Sequence, residues 1–261
     1  MLSQLFVIKL EQVQNPPIQL KTLILSDIHL GTKYCKAKEV LDFLKKCRFQ
    51  KLILNGDIID GWCLKRQGGW SESHSQVLNQ FIRYIDDPAI EVVFLKGNHD
   101  EMLDEVLDFP TEKLNMIQEH IHENIHGNYL VTHGDAFDTV AQKHKWLAIL
   151  GDIAYQFIMG VNAIYNKYRT WRGKKYFSIS KVAKAKVKSL VGSSDNLETK
   201  LIDAAKKANC SGIICGHIHT AIDKQIGDIH YLNSGDWVES LTAIGEYPEG
   251  HFEIINYQNL V

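Results

Sequence analysis

Several things are scarce in this 261-residue chain, and each absence excludes something. Its five cysteines, Cys35, Cys47, Cys63, Cys210 and Cys215, are odd in number and include no CxxC pair, which argues against a disulfide framework or a zinc ribbon and for a reducing compartment. No stretch approaches ~18 uninterrupted apolar residues. The N-terminal MLSQLFVIKLEQVQN lacks a basic start followed by a long apolar region. A cytoplasmic protein without a membrane span is expected. Charge of one sign is also missing in bulk, because a formal net charge of −2 offers no general attraction to nucleic acid. What remains, 45% hydrophobic and 23% charged residues, is ordinary for a globular protein long enough for one large domain, or for one domain plus a sizeable insertion.

What is present is a pattern that repeats. Leu5 to Leu10 reads as a possible first strand, and Asn15-Pro16-Pro17 breaks the chain before the apolar run Thr22 to Ser26, which ends in Asp27-Ile28-His29-Leu30-Gly31. Glu39 to Cys47 has helical spacing, Lys51 to Leu54 returns to strand character, and Asn55-Gly56-Asp57-Ile58-Ile59-Asp60-Gly61 follows. Val77 to Ile85 predicts another helix before the strand Val92 to Leu95, which stops at Gly97-Asn98-His99-Asp100. Glycine tolerates positive φ and close backbone approach, so these polar residues would be presented at the strand end. Later runs repeat the arrangement: Asn128 to Thr132 before His133-Gly134-Asp135, and Ser211 to Cys215 before Gly216-His217-Ile218-His219. Ile229 to Asn233 and His251 to Ile255 read as late strands. A βαβαβ series predicts an α/β fold with largely parallel central strands, whose ligand sites lie at the carboxyl ends of those strands.

Five apolar runs thus finish on metal-ligand residue types: Asp27, His29, Asp57, Asn98, His133, His217 and His219. On an extended strand end alternate residues point the same way, so Asp27 with His29, and His217 with His219, can each grip one centre. Carboxylate, imidazole and amide oxygen together suit manganese, iron, zinc or cobalt rather than calcium, and the lack of cysteine weakens a structural zinc site. Seven side chains exceed one tetrahedral site and fit a pair of metals sharing a carboxylate, for which Asp57 is the candidate. His74, His120, His122, His126, His144, His230 and His251 follow no such pattern and read as surface or satisfied histidines.

In these blocks the chain resembles the calcineurin-like metallophosphoesterase superfamily, over about residues 20–240. The resemblance implies a four-layer αββα sandwich acting as a hydrolase with two divalent ions, manganese foremost. It places one ion on Asp27, His29, Asp57 and His219 and the other on Asp57, Asn98, His133 and His217. His99 would stabilise or protonate the leaving oxygen, with Asp100 orienting it. Gly56 to Trp62, His133-Gly134-Asp135, the helical insertion after it and Asn233 to Ser240 are closer to the UDP-2,3-diacylglucosamine pyrophosphatases, which cleave a nucleotide-linked glycolipid in lipid A synthesis. The best-known branch of that subgroup carries arginine where this chain has His99, and His-Thr-His-Arg-Pro where it has His217-Ile218-His219-Thr220-Ala221, so a related branch is implied. The substrate so implied is a nucleotide-diphospho-glycolipid or another lipid phosphoester. A phosphodiesterase or nuclease of the same superfamily, and a catalytically silent scaffold, are the alternatives.

The whole chain is expected to be a single domain, 1–261, with a basic helical insertion at 136–195. That segment holds eleven Lys and Arg against three Asp and Glu, about +8, while the remainder carries about −10. Trp146, Ile149, Leu150, Ile153 and Phe157 recur there at helical intervals. Such a segment fits a lid that holds acyl chains and touches an anionic membrane surface. It also fits a nucleic-acid track, which the apolar run disfavours, or a solvated surface. Arg169, Arg172, Lys181 and Lys184 are the candidate diphosphate and glycolipid contacts. The implied location is cytoplasmic, with peripheral contact at the inner face of the cytoplasmic membrane.

Overall fold

The structure, a computed structural model, describes residues 16–67, 69–100, 116–138, 161–162, 164–174 and 194–261. Two sheets carry the fold. The first has six strands in the order β13-β12-β2-β4-β5-β6, and the second has five in the order β10-β11-β9-β8-β7. In the first, β2 (Thr22–Leu25), β4 (Lys51–Asn55), β5 (Glu91–Leu95) and β6 (Met116–Ile117) run parallel, with β12 (Thr242–Glu246) and β13 (Phe252–Asn256) added antiparallel at one edge. In the second, β8 (Tyr129–Thr132), β9 (Gly212–Cys215) and β11 (Ile229–Asn233) are parallel, flanked by antiparallel β7 (Glu119–His122) and β10 (Ile222–Ile226). The two-residue strands β1 (Ile18–Gln19) and β3 (Cys47–Arg48) pair with each other.

The period-2 alternation of the strands builds the layers. Leu23, Leu25, Leu52 and Leu54 face outward onto α1 (Ala37–Lys45) and α3 (Glu72–Asp86), where Val40, Phe43, Leu44, Val77 and Phe81 are buried. Their neighbours Ile24, Ile53 and Ile244 face inward and meet Tyr129, Val131, Ile214 and Leu232 of the second sheet. On the far side Leu130, Ile213 and Tyr231 pack on Leu201, Ile202 and Ala205 of α4 (Ser194–Lys207). Helix, sheet, sheet, helix is the expected four-layer αββα order.

The strands foreseen at 22–26, 51–54, 92–95, 128–132, 211–215, 229–233 and 251–255 and the helices foreseen at 39–47 and 77–85 are all present within a few residues. The foreseen strand at 5–10 and most of the insertion lie outside the described residues. Helices α2 (Gly61–Gln67) and α4 and strands β1, β3, β6, β7, β10 and β12 had not been foreseen. His74 is a satisfied histidine with a role: with Ser71 it forms the capping box that starts α3. Among the described residues no helix is long and apolar enough to cross a membrane.

Candidate metal centre

The carboxyl ends of both sheets meet at one place. Asp27 and His29 follow β2, Asp57 follows β4, and Asn98 and His99 follow β5, while His133 follows β8 and His217 and His219 follow β9. Extended pleating does not aim these side chains, contrary to the sequence expectation. Asp27, His29, Asp57, His217 and His219 all have left-handed backbone, with φ between 52° and 66°, in turns beyond their strands. Each such residue costs about 1–2 kcal/mol relative to ordinary backbone, and strain of this kind collects at functional sites. Neighbouring hydrogen bonds hold the turns: Asp27 N–H donates to the Gly56 carbonyl (3.0 Å), His29 N–H to the Asp57 carbonyl (2.9 Å) and Trp237 N–H to the Asp27 carbonyl (3.0 Å).

Two glycines make the convergence possible by lacking a side chain. A Cβ on Gly97 would run into the Asp57 carboxylate, and one on Gly216 would lie 2.5 Å from Asp27 Oδ2. Gly97 therefore serves close approach; it is not among the positive-φ residues.

Asp57 is the hub. Its Oδ2 lies 3.3 Å from His133 Nε2, 3.9 Å from His29 Nε2 and 4.0 Å from His99 Nε2, and its Oδ1 accepts from the His99 backbone N–H (2.9 Å). His219 Nε2 is 3.3 Å from Asp27 Oδ1. Three groups have ligand atoms within 4.8 Å of one another: Asp27, His29 and His219; Asp27, Asp57 and His133; and His29, Asp60 and His99. Burial would raise the Asp57 carboxyl, but His133, His99 and His29 hold it well below the usual carboxylate range. Asp27 goes the other way: burial, reinforced by Asp57, pushes it up against the pull of His133 and His29. Burial would depress His133, yet Asp57 and Asp27 raise it well above an ordinary imidazole. His29 is likewise raised: burial would depress it, but its hydrogen bond with Asp60 together with the Asp57 and Asp60 charges prevails.

The residues fit divalent cations on a direct test. Asp27 Oδ1, His29 Nε2, Asn98 Oδ1 and His133 Nε2 are buried and make no hydrogen bond, the charged neighbours of Asp27 Oδ1 and His133 Nε2 standing off at 3.3 Å. An unsatisfied buried polar atom costs about 1–3 kcal/mol, so three such atoms around Asp57, with a fourth on the turn after β5, point to a partner outside the polypeptide. The His133 ring is turned for that purpose, since its Nδ1–H donates to the Asn55 carbonyl (2.9 Å) and leaves Nε2 toward Asp57.

Three carboxylates had not been singled out as site residues. Asp60 Oδ2 lies 3.1 Å from His99 Nδ1 and 3.4 Å from His29 Nδ1, and those two rings hold its carboxyl far below the ordinary value despite burial. Asp236 Oδ2 is 3.7 Å from His219 Nδ1, and Asp138 Oδ2 is 3.2 Å from His217 Nε2. Asp100, expected to orient His99, is used differently. Its carboxylate accepts backbone N–H groups of Asp57 (2.6 Å), Ile59 (2.9 Å) and Gly97 (3.0 Å), tying the turn after β4 to the turn after β5. Burial, with Asp57 adding, pushes Asp100 up to about 6. The carboxylate at His99 Nδ1 is Asp60, three residues beyond Asp57 in the same loop, and that spacing was its sequence signal. Trp62 packs on the His99 ring at 4.5 Å between centroids, and His29 meets it edge-on at 4.8 Å.

Of the expected substrate contacts, Arg169 lies in helical residues 164–171 over the Tyr165 ring at 5.7 Å and Arg172 is exposed in the turn that follows, while Lys181 and Lys184 lie outside the described residues.

The family profile for calcineurin-like phosphoesterases matches residues 20–221, which include every residue of the centre except Asp236. The chain belongs to the calcineurin-like phosphoesterase family. It is a metallophosphoesterase-type hydrolase, of a family that uses divalent metals. No curated protein matches this phosphoesterase. Among solved structures it is similar to an archaeal phosphodiesterase, at 14% identity over 90% of this chain and 98% of that one, with a TM-score of 0.43. The phosphoesterase Yfce from E. coli is similar at 13% identity over 90% and 98%, TM-score 0.43. So is vacuolar protein sorting 29 from Cryptosporidium parvum, at 10% identity over 90% and 94%, TM-score 0.43.

Proposed function

We propose that this phosphoesterase uses a pair of divalent ions, manganese foremost and iron, zinc or cobalt as substitutes, to cleave a UDP-linked acylated glucosamine lipid into UMP and lipid phosphate. The observation that carries the hydrolytic half is the set of unsatisfied ligand atoms on Asp27, His29 and His133 gathered around the Asp57 carboxylate, with Asn98 Oδ1, just beyond β5, likewise buried and unsatisfied. Asp57 would bridge, with Asp27, His29 and His219 completing one site and Asn98, His133 and His217 the other. Bound there, the ions would make a water nucleophilic near neutral pH and neutralise the phosphoryl oxygens. His99 stands beside the hub with Nε2 facing Asp57 and its other nitrogen held by Asp60, so it can give a proton to the leaving oxygen. Trp62 and His29 keep that ring from turning away.

The lipid half is supported by the helical residues 161–162 and 164–171 of the insertion. Val161, Ile164, Tyr165, Tyr168 and Trp171 follow helical spacing and are exposed, Ile164 at 74% and Trp171 at 78%, whereas Asn162 and Asn166 are buried. Lys167, Arg169, Arg172 and Lys174 accompany them, with no Asp or Glu anywhere in residues 161–174. An outward aromatic stripe bordered by cations suits the interface of an anionic bilayer, where a lid would load acylated substrate.

The test is hydrolysis of UDP-2,3-diacylglucosamine by manganese-loaded protein, followed as UMP release, with Asp57→Ala as control and bis-p-nitrophenyl phosphate in parallel. UMP release that disappears in the control is expected. Turnover of the small diester alone would retain the hydrolase, discard the glycolipid and favour a phosphodiesterase.

A further inference from the structure

One carboxylate at the centre comes from none of the strand-end motifs. Asp138 closes the 3-10 turn Asp135–Phe137, and its Oδ2 lies 3.2 Å from His217 Nε2, with the Asp138 side chain 30% exposed. The turn is pinned at both ends. Gly134 enters it in left-handed conformation, φ 109°, and the Asp138 N–H donates to the Asp135 carbonyl at 3.1 Å. Lys200 of α4 donates to the Phe137 carbonyl at 3.3 Å. The partner ring is fixed as well, because the His217 N–H donates to Asp27 Oδ2 (3.1 Å) and its imidazole meets that of His133 at 5.4 Å.

A neutral imidazole has one N–H and one lone pair, and an ionised carboxylate can only accept. A carboxylate at Nε2 therefore places the proton on Nε2 and leaves the Nδ1 lone pair for an ion. His133 is arranged the opposite way, its Nδ1–H being taken by the Asn55 carbonyl. We infer that Asp138 is a positioning residue which holds His217 as the Nε2–H tautomer, so that the two histidines ligate through different ring nitrogens, Nδ1 in His217 and Nε2 in His133. The inference rests on the two-ion reading above. It adds a residue just beyond the 3-10 turn after β8 through which the chain tunes one ion site and not the other, as carboxylates hydrogen-bonded to ligating histidines do.

The experiment combines calorimetric titration of zinc or manganese into metal-free protein with histidine ring 15N NMR of the zinc form. Two binding steps are expected for the wild type. Asp138→Ala should weaken one of them by about 10–100-fold and leave the other unchanged, with the melting temperature of the metal-free protein unaltered. Asp138→Glu should restore part of the loss. The His217 ring should carry its proton on Nε2 in the zinc form. A proton on Nδ1, or Asp138→Ala with both steps intact, overturns the inference. So does loss of both steps together with a lowered metal-free melting temperature, which would make Asp138 merely a turn residue. Wild-type protein that takes up no ion sinks the two-ion reading and this inference with it, whereas an unaffected Asp138→Ala variant of an ion-binding wild type sinks the inference alone.

Discussion

Replacing Glu246 by alanine should destabilise the protein strongly without touching the metal centre. Glu246 ends β12 in the first sheet, is fully buried, and accepts from Lys21 (2.8 Å), Thr22 (2.5 Å) and Asn124 (3.0 Å), with His122 Nε2 at 2.8 Å. His122 ends β7 and Asn124 lies just beyond it, so this carboxylate fastens the second sheet to the first. Without it buried Thr22 and His122 lose their carboxylate acceptor and Asn124 keeps only the Gly250 carbonyl (2.8 Å), while Lys21, partly exposed, can turn to water. Removing one member of a buried charged network costs about 3–5 kcal/mol. The carboxyl's own acidity gives a second route to the number. Burial alone would raise it, but its bonds with His122, Lys21 and Thr22 bring it down from 4.5 to about 2. That difference corresponds to about 3 kcal/mol. At about 2–4 °C per kcal/mol for a chain of this size, the melting temperature should fall by about 6–20 °C at neutral pH. A depressed carboxyl contributes in full above its unfolded value and loses its contribution as pH falls through the folded one. Paired melts of wild type and Glu246→Ala should therefore converge as pH drops from 4.5 toward about 2. A neutral-pH loss below about 1 kcal/mol, the worth of an ordinary hydrogen bond, or a gap that persists in acid, would refute the reasoning.

Three further outcomes are expected. Chelation followed by manganese at about 100 times the dissociation constant should raise stability by about 2.7 kcal/mol per ion bound only to the folded state, read by differential scanning calorimetry; no rise would argue against a built metal centre. His99→Ala should keep both ions by titration yet lose about 10²–10⁴-fold in kcat toward bis-p-nitrophenyl phosphate, and wild-type turnover would remove His99 from the chemistry. Gly97→Ala drives a methyl group into the Asp57 carboxylate, so metal affinity should fall even where circular dichroism shows an intact fold; unchanged affinity would mean that the β4 and β5 turns can separate without cost.

The chain by itself determined the layers and the ligand inventory. Alternation such as Leu23, Ile24, Leu25 assigns one face of β2 to the helices and the other to the second sheet, and that is a property of strand geometry readable from residue order. The polar residues after each apolar run were legible for the same reason. Strands β10 and β12 were not, because Ile222–Ile226 reads IDKQI and Thr242–Glu246 reads TAIGE, and pairing with β11 and β2, not hydrophobic pattern, makes them extended. How the site is held was decided only in three dimensions. Asp27, His29, His217 and His219 converge through left-handed turns that their DxH and HxH spacing does not reveal. Asp100 sits next to His99 in sequence, yet it binds backbone N–H groups from two turns, while Asp60, 39 positions before His99, reaches the His99 ring. Residue types record which chemistry is possible; which carboxylate meets which imidazole depends on how two sheet ends pack together, and that distance is set by the interior between them.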